Sequence, residues 1–300
     1  MKTASRFAVV ALAAMLPFAG PGQKGPPKPE PTYRNIAYGP HPENRLDFWQ
    51  AETAGPAPLV IFIHGGGFRN GSKRAINARI FRRLLAAGIH MASVEYRFVQ
   101  VKPLPAAHED CKRALQFLRS KAAEWKIDPQ RIGAFGGSAG AQLAMWLAFH
   151  DDMAEPDSPD PIARQSTRLA AVASISGQTT MDMTWWFRHV PGYDRPHRDP
   201  QELYGTTDPE KIRRIVADIS ALELASPDDP PIFMTYRMAP GDPVPSDPRR
   251  ARGWKVHHVV FGVELKKKLD AMGVEADLRY PGAKSRYASV VDFFLAKLSP

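Results

Sequence analysis

The sequence predicts an α/β chain built on a mostly parallel, doubly wound sheet, and three observations carry that expectation. Short apolar runs of buried-strand type recur, as in Pro58-Leu-Val-Ile-Phe-Ile-His64 and Arg131-Ile-Gly-Ala-Phe135. Stretches with helical periodicity separate them, and such alternation implies parallel strands joined by crossover helices. Two of the strands run straight into glycine-rich loops, His64-Gly65-Gly66-Gly67-Phe68 and Gly136-Gly137-Ser138-Ala139-Gly140. With 44% hydrophobic and 24% charged residues in 300, the composition excludes a disordered chain and suits one domain carrying an insertion.

Taken in order, residues 1–22 read as a signal peptide. Lys2 and Arg6 precede an apolar run over residues 7–19 that is short for a membrane span. The expectation is an exported protein, periplasmic or secreted, with no stable membrane association after signal removal. An uncleaved membrane tether is the alternative. Residues 23–31 form a Pro/Gly-rich linker, and residues 32–300 the folded domain. Residues 35–38 and 45–49 open it as antiparallel strands. A helix over 75–87 presents Ile80, Leu84 and Leu85 on one face, and a strand follows over 89–96. In the long helix 105–125, Cys111 is in phase with Ala107, Leu115 and Leu118. That phase makes it a core thiol, and a lone cysteine excludes an internal disulfide.

After the strand 131–135 and the helix 141–149, residues 150–165 are acidic and proline-rich, a solvated loop. A strand at 170–176 comes next. Residues 178–227 then interrupt the strand–helix rhythm, with Trp185-Trp186-Phe187, Tyr193 and a helical stretch over 209–224. Such an insertion suits a cap whose aromatics either wall a pocket or pin the insertion to the core. A strand at 231–236, a proline-broken loop at 237–248, a helix at 256–272, a strand at 275–280 and a helix at 287–298 complete the chain.

The net charge of +9 makes anionic partners conceivable. The positive residues are scattered, however, and the densest run, from Arg69 to Arg83, reads as a solvated helix face. A preference for acidic substrates such as uronate-bearing glycans is a minor reading. No nucleic-acid motif is present, so nucleic acid is not an expected partner.

Gly136-x-Ser138-x-Gly140, between a strand and a helix, is a nucleophile-elbow pattern. The glycines allow backbones to approach too closely for a side chain, and the following helix N-terminus aims N–H groups at charge developing beside the serine. The upstream His64-Gly-Gly-Gly67 loop is of the type that supplies further oxyanion donors. On these motifs, with Glu95-Tyr96-Arg97, Leu104-Pro105-Ala106-Ala107 and Asp110, the chain from about residue 33 onward resembles the hormone-sensitive-lipase-like branch of the α/β-hydrolases, near bacterial acetyl-esterases and feruloyl-esterase-like proteins. The resemblance implies an α/β-hydrolase fold, an oxyanion hole from Gly66, Gly67 and Ala139, and no metal or organic cofactor.

In this fold the catalytic order is Ser, then Asp or Glu, then His. Asp242 resembles the family's acid position with altered spacing, and Asp247 is the alternative. Either could equally be a turn aspartate before proline. The loop after the last strand, where the resemblance places the histidine, reads Tyr280-Pro-Gly-Ala-Lys-Ser-Arg-Tyr287 and has none. At about 100° per residue, His258 falls within the stripe Phe261, Leu265, Leu269 and Met272 while His257 points to one side. His258 is thus the candidate base, with His257 or no histidine as the alternatives and a satisfied core histidine as the competing reading of His258.

These residues point to a serine carboxylesterase acting on small acyl or aryl esters, carbohydrate-linked ones included, with Ser138, Asp242 and His258 as its machinery and a small-molecule or glycan-linked ester as its partner. The missing loop histidine supports an alternative: a catalytically impaired hydrolase that binds glycans or small esters. A peptidase or arylformamidase of the same fold is a third reading.

Overall fold

The computed structural model describes residues 28–299. The signal segment and residues 23–27 of the linker lie outside the described residues. Eight strands form one sheet: β1 (Tyr33–Ala37), β2 (Arg45–Trp49), β3 (Ala57–Ile63), β4 (His90–Val94), β5 (Ile127–Gly137), β6 (Ala171–Ile175), β7 (Ile232–Thr235) and β8 (Ala276–Arg279). Their spatial order is β1-β2-β4-β3-β5-β6-β7-β8. β2 is antiparallel to both β1 and β4, and every later pairing is parallel. The expected mostly parallel, doubly wound sheet is what forms.

Alternation along β3 explains why both faces are covered. Leu59, Ile61 and Ile63 join one core with α2 (Ala106–Ser120), α3 (Ala139–Phe149) and α9 (Val260–Ala271). Val60 and Phe62 point the other way, into a second core with α1 (Ala78–Ala86) and α10 (Val290–Leu298). A strand apolar at every position is what burial on two faces demands. Cys111 is buried in the first core. At the exit of β4, Arg97 grips Asp110 of α2 through both guanidinium and backbone N–H.

Four short helices fill the expected insertion between β6 and β7: α4 (Met183–His189), α5 (Pro200–Tyr204), α6 (Pro209–Ile219) and α7 (Ala221–Leu224). One further helix, α8 (Pro248–Val256), fills the stretch between the loop expected over 237–248 and the helix expected over 256–272. Among the described residues no helix is long and apolar enough to cross a membrane.

The register aligns the carboxyl ends of the central strands, pairing Ile63 with Gly136, Gly137 with Ile175, and Ile175 with Thr235. This is the edge at which open α/β sheets gather their ligands. The tightest approach there is between α3 and the end of β3: a Cβ on Gly140 would overlap the carbonyl oxygens of Ile63 and His64. Because those atoms are backbone, nothing can swing aside. Gly140→Ala is expected to cost about 2–3 kcal/mol and lower Tm by about 5–10 °C. A thermal melt within about 1 °C of wild type would show that the elbow has slack.

Candidate active site

Ser138 sits between β5 and α3 with φ 54° and ψ −123°, a backbone conformation costly for a residue with a Cβ. Its N–H donates to the Ile175 carbonyl, 2.9 Å, and its own carbonyl starts α3 by accepting from Ala141 and Gln142. The side chain is thereby lifted clear of the sheet edge. Across from it, Gly66, Gly67 and Phe68 all have positive φ, and the turn closes with Arg69 and Asn70 N–H groups on the Gly66 carbonyl. Behind this loop the buried His64 ring stacks on Tyr96, 4.3 Å between centroids, with Nε2 3.1 Å from Glu95. Among the described residues, the N–H groups of Gly66, Gly67 and Ala139 donate to no protein acceptor. Three donors without partners beside a strained serine can hold an oxyanion.

The imidazole at Ser138 belongs to His257, whose Nε2 is 2.9 Å from Ser138 Oγ. His257 caps the C-terminus of α8, and its Nδ1 lies 2.8 Å from the Gly253 carbonyl. A carbonyl only accepts, so Nδ1 carries the proton and Nε2 presents its lone pair to the hydroxyl. The ring can therefore take the Ser138 proton. Its carrier is held in turn: Gln178 Nε2 donates to the Val256 carbonyl, 2.6 Å, one residue before the histidine.

His258 is placed differently from its expected role. The helix inferred over 256–272 is broken at residues 257–259, between α8 and α9. His258 does face inward and is 1% exposed. There, however, it packs on Trp254 and accepts the Val260 N–H at Nδ1, 3.2 Å. Burial pushes its pKa down to about 4 against the raising influence of Asp242, so it is a neutral core histidine, and the hydrogen bond to Ser138 is made by its neighbour.

Asp242 does not meet His257 either. Its Oδ2 accepts the Ala239 N–H at 2.8 Å, closing its own turn. Asp247 caps the N-terminus of α8 through the Arg250 N–H. Among the described residues no carboxylate lies within ion-pair distance of His257. The third position is filled by a main-chain carbonyl at a helix C-terminus, whose partial negative charge favours a nearby cation.

Two depressions meet at Ser138. The smaller is largely apolar, walled by Phe68, Met181, Trp186, Leu203 and Val256. The wider is open and lined by Arg198, Arg249, Arg252, His197 and His257. Of the insertion's aromatics, Trp186 walls the small pocket and also packs on Phe261, while Trp185 stacks on Phe261, 5.3 Å. Wall and pin are thus shared between neighbours. The Tyr193 hydroxyl lies 2.8 Å from His197 Nδ1 and accepts the His197 N–H. Arg198 donates to the Gly67 carbonyl, tying the insertion to the glycine loop.

The sequence reading missed Gln178, His197, Arg198 and the whole of α8. A signal for the helix was present, since Asp247-Pro248 is an N-cap followed by proline at the first helical position. Asp199-Pro200 and Asp208-Pro209 start α5 and α6 in the same way.

Sheet, elbow and glycine loop together define an α/β-hydrolase. Within that class, the family model described as BD-FAE matches residues 46–240, and the chain belongs to that family. Among curated relatives, it is 32% identical over 145 residues to the Oryza sativa subsp. japonica protein named "Probable isoprenylcysteine alpha-carbonyl methylesterase ICMEL1", covering 48% of this chain and 34% of that protein. It is 35% identical over 155 residues to "Esterase LipQ" of Mycobacterium tuberculosis, covering 49% and 37%. The chain thus spans about a third of the length of these relatives. A solved structure described as a truncated form of a carbohydrate esterase from gut microbiota superposes with a TM-score of 0.70 at 24% identity, over 91% of this chain and 99% of that one. The propionate-bound Est2 esterase of Thermogutta terrifontis gives 0.58 at 20% identity, over 85% and 91%.

The His257 pKa lies below the ordinary 6.5: burial lowers it most, the Gly253 carbonyl partly restores it, and Arg237 lowers it again. The ring is accordingly neutral, and able to accept a proton, at pH 7. Arg237→Gln is expected to raise the His257 midpoint toward 6.5, read from its ring protons by NMR titration. An unmoved midpoint would remove Arg237 from the electrostatics of the site.

Proposed function

We propose that the chain is a serine carboxylesterase that hydrolyses small acyl or aryl esters through an acyl-enzyme, with Ser138 as nucleophile and His257 as base. The observation that carries this reading is the 2.9 Å contact between His257 Nε2 and Ser138 Oγ, made with the tautomer fixed by Gly253. The names of the relatives and structural neighbours support the ester class.

Ser138 Oγ attacks the ester carbonyl carbon as its proton passes to His257 Nε2. The carbonyl oxygen becomes an oxyanion facing the N–H groups of Gly66, Gly67 and Ala139, each worth about 3 kcal/mol at the transition state. As the C–O bond breaks, His257 returns the proton to the leaving alcohol. A water molecule then attacks the acyl-enzyme, giving its proton to His257, and Ser138 recovers a proton as the carboxylic acid departs. The acyl group remains on Ser138 while the alcohol leaves, so the enclosed apolar pocket suits the acyl side and the open groove the alcohol.

Replacing the carboxylate with a carbonyl preserves the histidine's tautomer and orientation but weakens stabilisation of the imidazolium. In a Ser-His-Asp enzyme, loss of the correct tautomer on carboxylate neutralisation costs about 10⁴ in kcat. Here the tautomer is retained, and slow but true turnover follows. The same absence is what would favour the impaired, ester-binding reading.

Hydrolysis of 4-nitrophenyl acetate is the test. Ser138→Ala and His257→Ala should each lower kcat by about 10³-fold or more. Asp242→Asn and His258→Gln should stay within about tenfold, since neither side chain touches the reacting groups. The acid limb of kcat/KM should fall below pH 6.5, because activity requires neutral His257 and is lost as the pH drops through its lowered pKa. Wild-type hydrolysis no faster than Ser138→Ala would sink the proposal.

A further inference from the structure

The open groove beside Ser138 holds more positive charge than the catalytic step uses. Arg249, Arg252, Gly253, Val256 and His257 lie at intervals of three, one, three and one residues along α8 and its cap. They form one helical face turned to the groove. Arg198 approaches from the insertion and Arg237 acts on His257 from the end of β7. Two nearby cations outside the groove have acidic partners: Arg69 meets Glu202 at 2.9 Å and Lys255 meets Asp194 at 3.6 Å. Arg198, Arg249 and Arg252 have no carboxylate within ion-pair distance among the described residues, and no acidic residue lines the groove.

Several of these groups are also fixed in place. Arg252 donates to the His197 carbonyl, 3.1 Å, and Arg198 to the Gly67 carbonyl, so each guanidinium is anchored while keeping donors to spare. His197 is held by Tyr193 and stacked on Trp186, 4.9 Å between ring centroids. Burial, then Arg198, Arg252 and His257, bring its pKa down to about 4, so it adds no charge of its own at neutral pH. The remaining surplus is a set of like charges gathered at a concave wall, where the field on an incoming group is focused.

Resting on the esterase reading above, we propose that the alcohol portion of the substrate carries a carboxylate, as an acidic sugar does, and that Arg249 and Arg252 of α8 with Arg198 opposite receive it. Planar guanidiniums match a carboxylate fork with paired N–H donors. Arg198 borders both depressions, whereas Arg249 and Arg252 line the open groove and not the small apolar pocket, so the charge resides on the leaving side. The positive residues singled out in the sequence, from Arg69 to Arg83, are not the ones that line the groove.

Two acetyl esters with the same phenol scaffold test this: 4-nitrophenyl acetate and its carboxylate analogue 5-acetoxy-2-nitrobenzoate. Each kcat/KM is divided by the ester's hydroxide-catalysed rate. The wild-type ratio should favour the carboxylate by about tenfold or more at low salt, chiefly through KM, and decline as added salt screens the charges. In the Arg249→Gln/Arg252→Gln variant the ratio should fall to about one, whereas Arg213→Gln on α6, with the same charge change as one of these substitutions, should leave it high. A wild-type ratio of one or less, with 4-nitrophenyl acetate turned over, overturns the carboxylate proposal alone. Hydrolysis of neither ester above the Ser138→Ala level instead overturns the esterase reading on which it rests.

Discussion

The strained turn at Ser138 is the constraint from which the rest of this site follows. Holding a residue with a Cβ at φ 54° is unfavourable in isolation and persists only where the surroundings over-determine it. Here β6 supplies the Ile175 carbonyl to the Ser138 N–H, α3 takes over the Ser138 carbonyl, and glycine at 136 and 140 lets strand and helix meet at the end of β3. The wholly buried α3 makes the arrangement rigid, since all eleven of its residues are packed. That rigidity lets oxyanion donors be fixed in advance and not gathered during the reaction.

A fixed Ser138 constrains where a partner imidazole can come from. The loop after β8 contains no histidine and is occupied with other work: Ser285, Arg286 and Tyr287 converge on Asp277. The imidazole at Ser138 comes instead from the end of α8. A helix C-terminus has carbonyls without intrahelical partners, and Gly253 uses one to receive both the N–H and the Nδ1–H of His257. One acceptor thus ends the helix, fixes the tautomer and faces the imidazolium that forms. Its partial charge is smaller than a carboxylate's, while burial and Arg237 work against that imidazolium. Proton acceptance remains available at neutral pH, with a weaker hold on the charged ring.

How much of this was legible depended on whether the signal was local. Both glycine motifs sit where strands meet loops, so Ser138, Gly66, Gly67 and Ala139 could be grouped from the sequence. The apolar stripe also points to the burial of His258, which is inside. Its role does not follow from the stripe, because the helix is not continuous through residue 258. The break at 257–259 separates the two histidines, sending one to the core and the other to the cleft. The prolines at 243, 245 and 248 read as a loop, although Asp247-Pro248 is a helix start. A tertiary choice between adjacent residues leaves little trace in periodicity, since the two differ by a single step along the chain. The same holds for Gln178, whose partner at Val256 is distant in sequence.

In the proposed reaction, a base on α8 also couples reactivity to recognition. The same short helix carries His257 at its end and Arg249 and Arg252 along the face turned to the groove. It is fastened by Gln178 at Val256 and by Arg252 at His197, both fasteners leading into the segment between β6 and β7. Any shift of that segment would move His257 and the two arginines together. In a site whose base lies on the loop after β8, the two could vary separately. Here one element carries both: Arg249 and Arg252 lie on the helix whose end holds His257 against Ser138.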